Sequence, residues 1–514
     1  MALNNVSFII GANGLGAVAP GQDYISGMVF YSASYPSGFS GAAQNKQVFG
    51  INQAISLGIT NTSIGETAAV SKVVVGGTPT VGDVYTVTYT GIDGVAVKLV
   101  DAYALVTADA VSVTTAGAKI AALINASTQT TGFSATAATG TVLITTKKAE
   151  GIFPNSGTPY AVSVSGVSTL TLTQPTGSGS TVLGVASVID VMYYHVSEYF
   201  RMNPEGNLWI GVYPVPATFD GTEAQTLVNA SNGTIRQVGV YYTNVAYAVG
   251  QTTALQTIAT TLANNYQWTQ FVYAGDISAV TDLGTLADLT AQTNKNVSVV
   301  IAQDGAAAGY KLYKATGKSI SALGAVLGAV SSANVNDSIA YPAKFNFSNG
   351  LELDTLAFAN GTVYTSLTTS ALNSLNDENY IFLRKFTGYA GSFANSDTTA
   401  IVNTSDYAYI SRNRVIQKAQ RLLYSAYVPY LNFNNLILNA DGTISENSAS
   451  TLEAIGEQAL NALLQAPTAI SNSSVVIDRT QKPLVNNQLQ ISVSIQPKPN
   501  AANIVITIGY VQSI

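Results

Sequence analysis

Between residues 69 and 180 the side chains alternate with a period of two, and from residue 181 that rhythm gives way to helices alternating with strands. In the first stretch Tyr85, Val87 and Tyr89 fall on one strand face and Thr86, Thr88 and Thr90 on the other. A turn at Asp93 and Gly94 leads into Val95, Val97 and Leu99, again on one face. Ile120, Leu123 and Ile124 predict one short amphipathic helix, and Val142 with Ile144 a further strand. Thr176 to Thr181, with only Gly and Ser between, reads as a flexible exit linker. The stretch is expected to form a small Thr/Gly-rich β domain inserted into another domain.

Beyond it, Val188–Arg201 reads as a helix, Leu208–Tyr213 as an apolar strand, Ala224–Ala230 as a helix and Val238–Tyr242 as a buried strand. Leu255, Ile258 and Leu262 make a helical stripe, followed by strands at Gln270–Tyr273 and Val297–Ile301. Such alternation predicts an α/β layer on a largely parallel or mixed sheet. Further on, a helix over Ser405–Tyr427 places Ile416, Ala419 and Leu423 on one face. A hairpin of Leu436–Leu438 and Thr443–Ser445 turns at Asp441 and Gly442, and Leu452, Ile455, Ala459 and Leu463 mark another helix. Two strands follow, Leu489–Ile495 and Ile504–Val511. No fixed-period repeat suggests a solenoid.

Charge is scarce: 10% of the 514 residues, against about 25% in typical soluble domains. Two kinds of protein fit this, a secreted Thr/Ser-rich β-protein or a subunit whose surface is covered by neighbours. The net charge of −6 argues against a nucleic-acid binder. The absence of cysteine excludes disulfides, thiolate zinc sites and a cysteine nucleophile, and fits assembly in a reducing cytoplasm. The most apolar helical run, Ile320–Val330, is about half the ~20 residues a bilayer requires. Met1–Gln22 holds no Lys or Arg, so it lacks the basic start of a secretory signal, and Val6–Ile10 reads as a strand.

Catalysis finds no supporting constellation. Gly11, Gly14 and Gly16 lack both the Lys–Ser/Thr ending of a phosphate loop and the dinucleotide spacing, and read as a plain turn. His195 is the single histidine, which excludes a multi-histidine metal site. Glu198 stands three positions on, a spacing open to a base–acid pair, but no nucleophile motif accompanies it and a partly buried helix histidine explains it as well. Asp377 and Glu378 read as a helix end, and no calcium loop occurs. No catalytic residue, cofactor or metal is expected.

Two features are more informative. Between Tyr380 and Ser425 six cations (Arg384, Lys385, Arg412, Arg414, Lys418, Arg421) face two acids. Arg414, Lys418 and Arg421 share one helix face, either solvated or meeting an acidic partner surface. In Ile504–Val511, Ile504, Ile506, Ile508 and Tyr510 line one face while Val505 and Val511 make the other apolar as well. Such a strand must pair, within its own sheet or in a neighbour's.

The runs Tyr380–Gly388, Asp397–Thr398, Ser405–Tyr407 and Arg414–Arg421, with the Asp441–Gly442 hairpin and the last strands, resemble the contractile phage-tail-like sheath proteins. His195–Pro204 through Leu208–Ile210 resembles the core of the same family, and the opening Val6–Phe8 is compatible with it. The likeness spans residues 1–68 and 181–514 and is densest over 380–514. It implies an α/β (α+β) sheath core, a mixed sheet flanked by helices, with an inserted β-rich domain and extended N- and C-terminal strand arms. Residues 1–68 would be the N-terminal arm and first part of the core, 69–180 the inserted domain, 181–379 the α/β core and middle domain, and 380–514 the C-terminal sheath domain with its inter-subunit arm. The arms would exchange strands between subunits through Val6, Phe8, Ile10, Ile491, Val493, Ile495, Ile504, Ile506, Ile508 and Tyr510. Arg414, Lys418 and Arg421, with Arg412, would contact the tube.

The resemblance implies, further, a structural subunit and not an enzyme. Its partners would be itself, as a helical polymer of hexameric rings, an inner tail tube protein, and baseplate and tail terminator proteins. Neither nucleic acid nor direct membrane insertion is implied. Assembly would take place in the bacterial cytoplasm, for a virion tail or contractile injection particle. No ATP site is needed, because an extended metastable lattice contracts by rigid-body rearrangement. The alternative, a secreted or surface-layer β-rich adhesin, predicts an export signal and β alternation to the last residue.

Overall fold

A computed structural model describes residues 22–514 apart from 157, 433, 466–467, 503, 507 and 509–514. The expected strand residues Val6, Phe8 and Ile10, the Gly11–Gly16 turn and Tyr510 lie outside the described residues.

The strand Ile25–Tyr31 is buried at all seven positions, which requires cover on both faces of the sheet it joins. It is flanked in parallel by Asn207–Tyr213 and Gln237–Ala246, with Met28 opposite Ile210 and Gly239. Parallel pairing continues outward through Gln270–Asp276 and Val297–Val300 to Tyr380–Ile381. The short strand Asn45–Val48 closes the other edge antiparallel to Asn207–Tyr213. The result is a seven-stranded mixed sheet covered by helices, as the alternation over 181–301 predicts.

One cover is a helix pair. Leu323–Ser332 lies against Val188–Met202, and Gly324 and Gly328 sit at the crossing. A Cβ added at Gly324 would strike the carbonyl oxygen of His195, and one at Gly328 would lie 2.5 Å from that of Tyr199. The backbones meet directly, so the apolar run Ile320–Val330 belongs to the core. Among the described residues no helix is long and apolar enough to cross a membrane.

Residues 70–173 build two antiparallel sheets, one of four strands and one of three, around their own core of Tyr85, Tyr89, Phe133, Tyr160 and Ile120. Their helix, Val113–Ala126, starts in a reciprocal cap: the Ser112 hydroxyl accepts from the Thr115 N–H at 3.2 Å, and the Thr115 hydroxyl from the Ser112 N–H at 2.9 Å. The chain enters and leaves this unit on paired segments, Thr67 with Val185 and Val70 with Val182. The expected flexible linker is instead a closed turn, in which the Thr181 hydroxyl accepts from the Thr176 N–H at 3.2 Å. Threonines at both ends supply hydrogen bonds that a Gly/Ser composition alone does not.

The C-terminal part packs the helices Ile410–Tyr427 and Glu446–Leu464 together with a two-stranded sheet, Ile470–Val476 against Ser492–Pro497. The Asp441–Gly442 turn joins Leu438 and Ile444 through a single bridge, with Gly442 at φ 81°.

Candidate inter-subunit surfaces

The helix Ile410–Tyr427 is fixed at its start by Asp397. That carboxylate accepts from the Ser411 N–H at 3.0 Å and the Ser338 hydroxyl at 2.7 Å, covering a free helix N-terminus with negative charge. Its basic stripe turns inward, toward the segment preceding the central strand. Lys418 Nζ lies 2.6 Å from Asp23 Oδ2, and Arg421 Nη2 bonds the other carboxylate oxygen of Asp23. Arg414 donates to the backbone carbonyls of Ala333 at 3.2 Å, Asn334 at 3.3 Å and Asp23 at 3.4 Å.

Arg414 and Arg421 are therefore buried structural cations, which corrects their expected place on a tube-facing surface. The spacing identifies the shared face correctly. What covers that face is an acid almost the whole chain away. Arg236 joins the cluster from the start of its strand, and burial together with the Arg421 charge pushes its guanidinium down to about 9. Burial likewise brings Arg414 down to about 10. Lys418 is partly exposed beside Asp23, and Arg412 stacks its guanidinium 4.6 Å from the Tyr409 ring, outside the cluster.

The expected strand residues separate into two groups. Ile491, Val493 and Ile495 are half-buried against the C-terminal core, and Val493 and Ile495 pair with Val475 and Ser473 inside the chain. Ile504, Val505, Ile506 and Ile508 belong to no strand and are 74–90% exposed. Within the described residues the hairpin before them is a sheet of two strands, each paired on one side only.

His195 is sealed in the main core between Phe30 and Tyr241, with ring centroids 6.1 and 4.5 Å away. Neither ring nitrogen has a hydrogen-bond partner among the described residues, and burial lowers its pKa to about 3. Glu198 faces Arg201 instead, which donates to it at 2.9 and 2.6 Å. The two do not form a base–acid pair.

Sequence reading missed an aromatic patch. Tyr266 stacks on Tyr424 at 4.3 Å and Trp268 meets the same ring edge-on at 6.2 Å, the two tyrosines being 53% and 44% exposed. Tyr266 and Trp268, one residue apart before a buried strand, are the signal that could have marked it.

Fold and surfaces together define a mixed α/β protein with a separately packed β unit and an uncovered apolar C-terminal segment. The chain belongs to the DUF2586 family, whose N-terminal domain matches residues 55–397 and whose C-terminal domain matches residues 406–514. Comparison with curated proteins finds no match. Among solved structures, the chain is similar to the contracted helical sheath of the anti-feeding prophage, at 15% identity over 64% of this chain and 84% of that one, with a TM-score of 0.44. It is also similar to the sheath tail protein Lin1278 of Listeria innocua, at 11% identity over 94% and 97% of the two chains, with a TM-score of 0.37.

Proposed function

We propose that this chain is a structural subunit of a contractile tail sheath. It polymerises as stacked hexameric rings around an inner tube and contracts to drive the tube through a target envelope. The observation that carries this reading is the bare segment Ile504–Ile506 with Ile508, which has no strand partner in its own chain among the described residues. Left in water, such a β-forming run is an aggregation site. Added to a neighbour's sheet it gains main-chain hydrogen bonds and apolar cover.

The same chain offers an acceptor, the open-sided hairpin Ile470–Val476/Ser492–Pro497. A donor and an acceptor on different patches make a head-to-tail contact, which closes into rings or runs on as a helix. In this reading residues 1–68 and 181–379 form the N-terminal arm and core, 69–180 the inserted domain, and 380–514 the C-terminal domain with its arm. Val6, Phe8, Ile10 and Tyr510 extend the exchanged strands. The particle is assembled in the bacterial cytoplasm; its rings meet the tube on their inner side and baseplate and terminator proteins at the ends of the stack.

The test is negative-stain microscopy and sedimentation of the full chain beside one ending at Ala502. Hollow cylinders from the first and none from the second, with equal thermal midpoints, support the assignment. A monodisperse monomer from the full chain at high concentration, or cylinders from both, sinks it.

A further inference from the structure

A cavity of 440 Å³ opens where the helices Val188–Met202 and Ala308–Thr316 meet the base of the β unit. Ala186, Leu312 and Ala315 give it an apolar wall, completed by the rings of Tyr193 and Tyr194. Four carboxylates line it, Glu66, Asp190, Glu198 and Glu352, against one ammonium, Lys311, which is exposed and makes no ion pair among the described residues.

Three of the carboxylates are already committed. Glu66 accepts from the Ala149 and Gly151 N–H groups at 2.8 and 2.9 Å, Asp190 from the Ser63 N–H at 3.0 Å, and Glu198 from Arg201. Glu352 is different: one oxygen accepts from the Ala308 N–H at 3.2 Å, and the other is buried with no partner among the described residues. Tyr194, 4% exposed, also has a hydroxyl without a partner. Buried polar groups are nearly always hydrogen-bonded, and an excess of buried carboxylates calls for a counter-charge. Burial raises the Glu352 carboxyl, and the charges of Asp304 and Glu198 add to this against the opposing Ala308 N–H bond and the Arg201 charge, which is itself committed to Glu198; a further cation beside Glu352 would favour its ionised form.

We propose that this cavity binds an organic cation, an ammonium or guanidinium group carried on a short aliphatic stem. The head group donates to the free oxygen of Glu352 and to the hydroxyl of Tyr194, and the stem lies along Ala186, Leu312 and Ala315. A bare metal ion matches this lining less well. Among the described residues no group of three His, Cys, Asp or Glu could hold one, and the apolar wall would be wasted on it. The same chemistry has two sources, a free diamine or a Lys or Arg side chain of a second copy of this chain.

Calorimetric titration of the full chain with 1,5-diaminopentane at low ionic strength tests the site. Saturable one-to-one binding is expected, with 1,5-pentanediol inert. Glu352→Gln should weaken it about tenfold, as befits the loss of a charge-assisted hydrogen bond, and Tyr194→Phe should weaken it measurably. Should Glu352→Gln misfold, Tyr194→Phe removes a single oxygen and carries the comparison, with circular dichroism as the check on folding. Sedimentation separates the sources: dissolution of assemblies by the diamine and by Glu352→Gln alike identifies a second copy, and diamine that binds without dissolving them identifies a free cation. Absence of saturable binding with no effect of either variant on assembly overturns the proposal, as does binding that survives both substitutions.

Discussion

Asp23 and Arg421, 398 positions apart, share a side-chain ion pair that ties the root of the central strand to the C-terminal helix. The same carboxylate holds Lys418, with Arg414 and Arg236 close by, so Asp23 is the acid bonded to a mostly buried group of cations, with Asp337 and Asp397 acting on Arg414 from further off. Removing one member of such a pair leaves charge buried without compensation. Asp23→Asn is expected to cost about 3–5 kcal/mol, read as a lower urea midpoint with an unchanged slope. A cost below about 1 kcal/mol would place the cluster in the range of exposed, screened pairs.

Glycine contacts give a pair of opposite substitutions. A Cβ at Gly324 has nowhere to go except into the His195 carbonyl, so Gly324→Ala should destabilise by about 1–3 kcal/mol or more by overpacking the helix crossing. Gly250, in the helix Val249–Asn264, has nothing within 4 Å of an added Cβ, and Gly250→Ala should stabilise by about 0.4–1 kcal/mol. Thermal midpoints that move the same way in both variants contradict the contact assignment.

His195 supplies a pH dependence. Its folded pKa lies near 3 and its ordinary value near 6.5, so between these limits the unfolded chain binds a proton that the folded chain does not. Stability from this site is complete above pH 6.5 and declines as the pH falls, by about 1.4 kcal/mol per unit. Because the ring makes no hydrogen bond among the described residues, His195→Leu should keep the fold at neutral pH and flatten the acid limb of a stability–pH curve. An unchanged acid limb would assign the loss to other groups.

Charge placed on the bare C-terminal run should act on assembly alone. Ile506→Lys and Ile508→Lys change side chains that are 74% and 89% exposed, so monomer stability should stay within about 0.5 kcal/mol. Sedimentation should show polymer growth abolished. Polymers from the doubly substituted chain would remove this run from the interface.

Local periodicity is what sequence conveys best here. The alternation of Tyr85, Val87 and Tyr89 is realised in the strand Val84–Thr90, with these three buried and Thr86 and Thr88 turned outward. The alternation of helix and strand after residue 181 likewise becomes a mostly parallel sheet. Pairing over long distances was not legible. Spacing shows that Arg414, Lys418 and Arg421 share a face, but only the tertiary fold brings Asp23 onto it. Similarly, Ile504, Ile506 and Ile508 announce a need for cover, while their spacing does not say that the preceding hairpin pairs Ile470–Val476 with Ser492–Pro497 and leaves them outside it.

The paired entry and exit of the β unit, Thr67 beside Val185 and Val70 beside Val182, make a two-stranded stalk whose ends are one hydrogen bond apart. A stalk of this kind is a splice port: a turn joining its two strands, or a foreign module with neighbouring termini, could replace the unit without moving the main sheet. The exchange would also take away Ala149 and Gly151, unroofing the acidic cavity and opening its carboxylates to water.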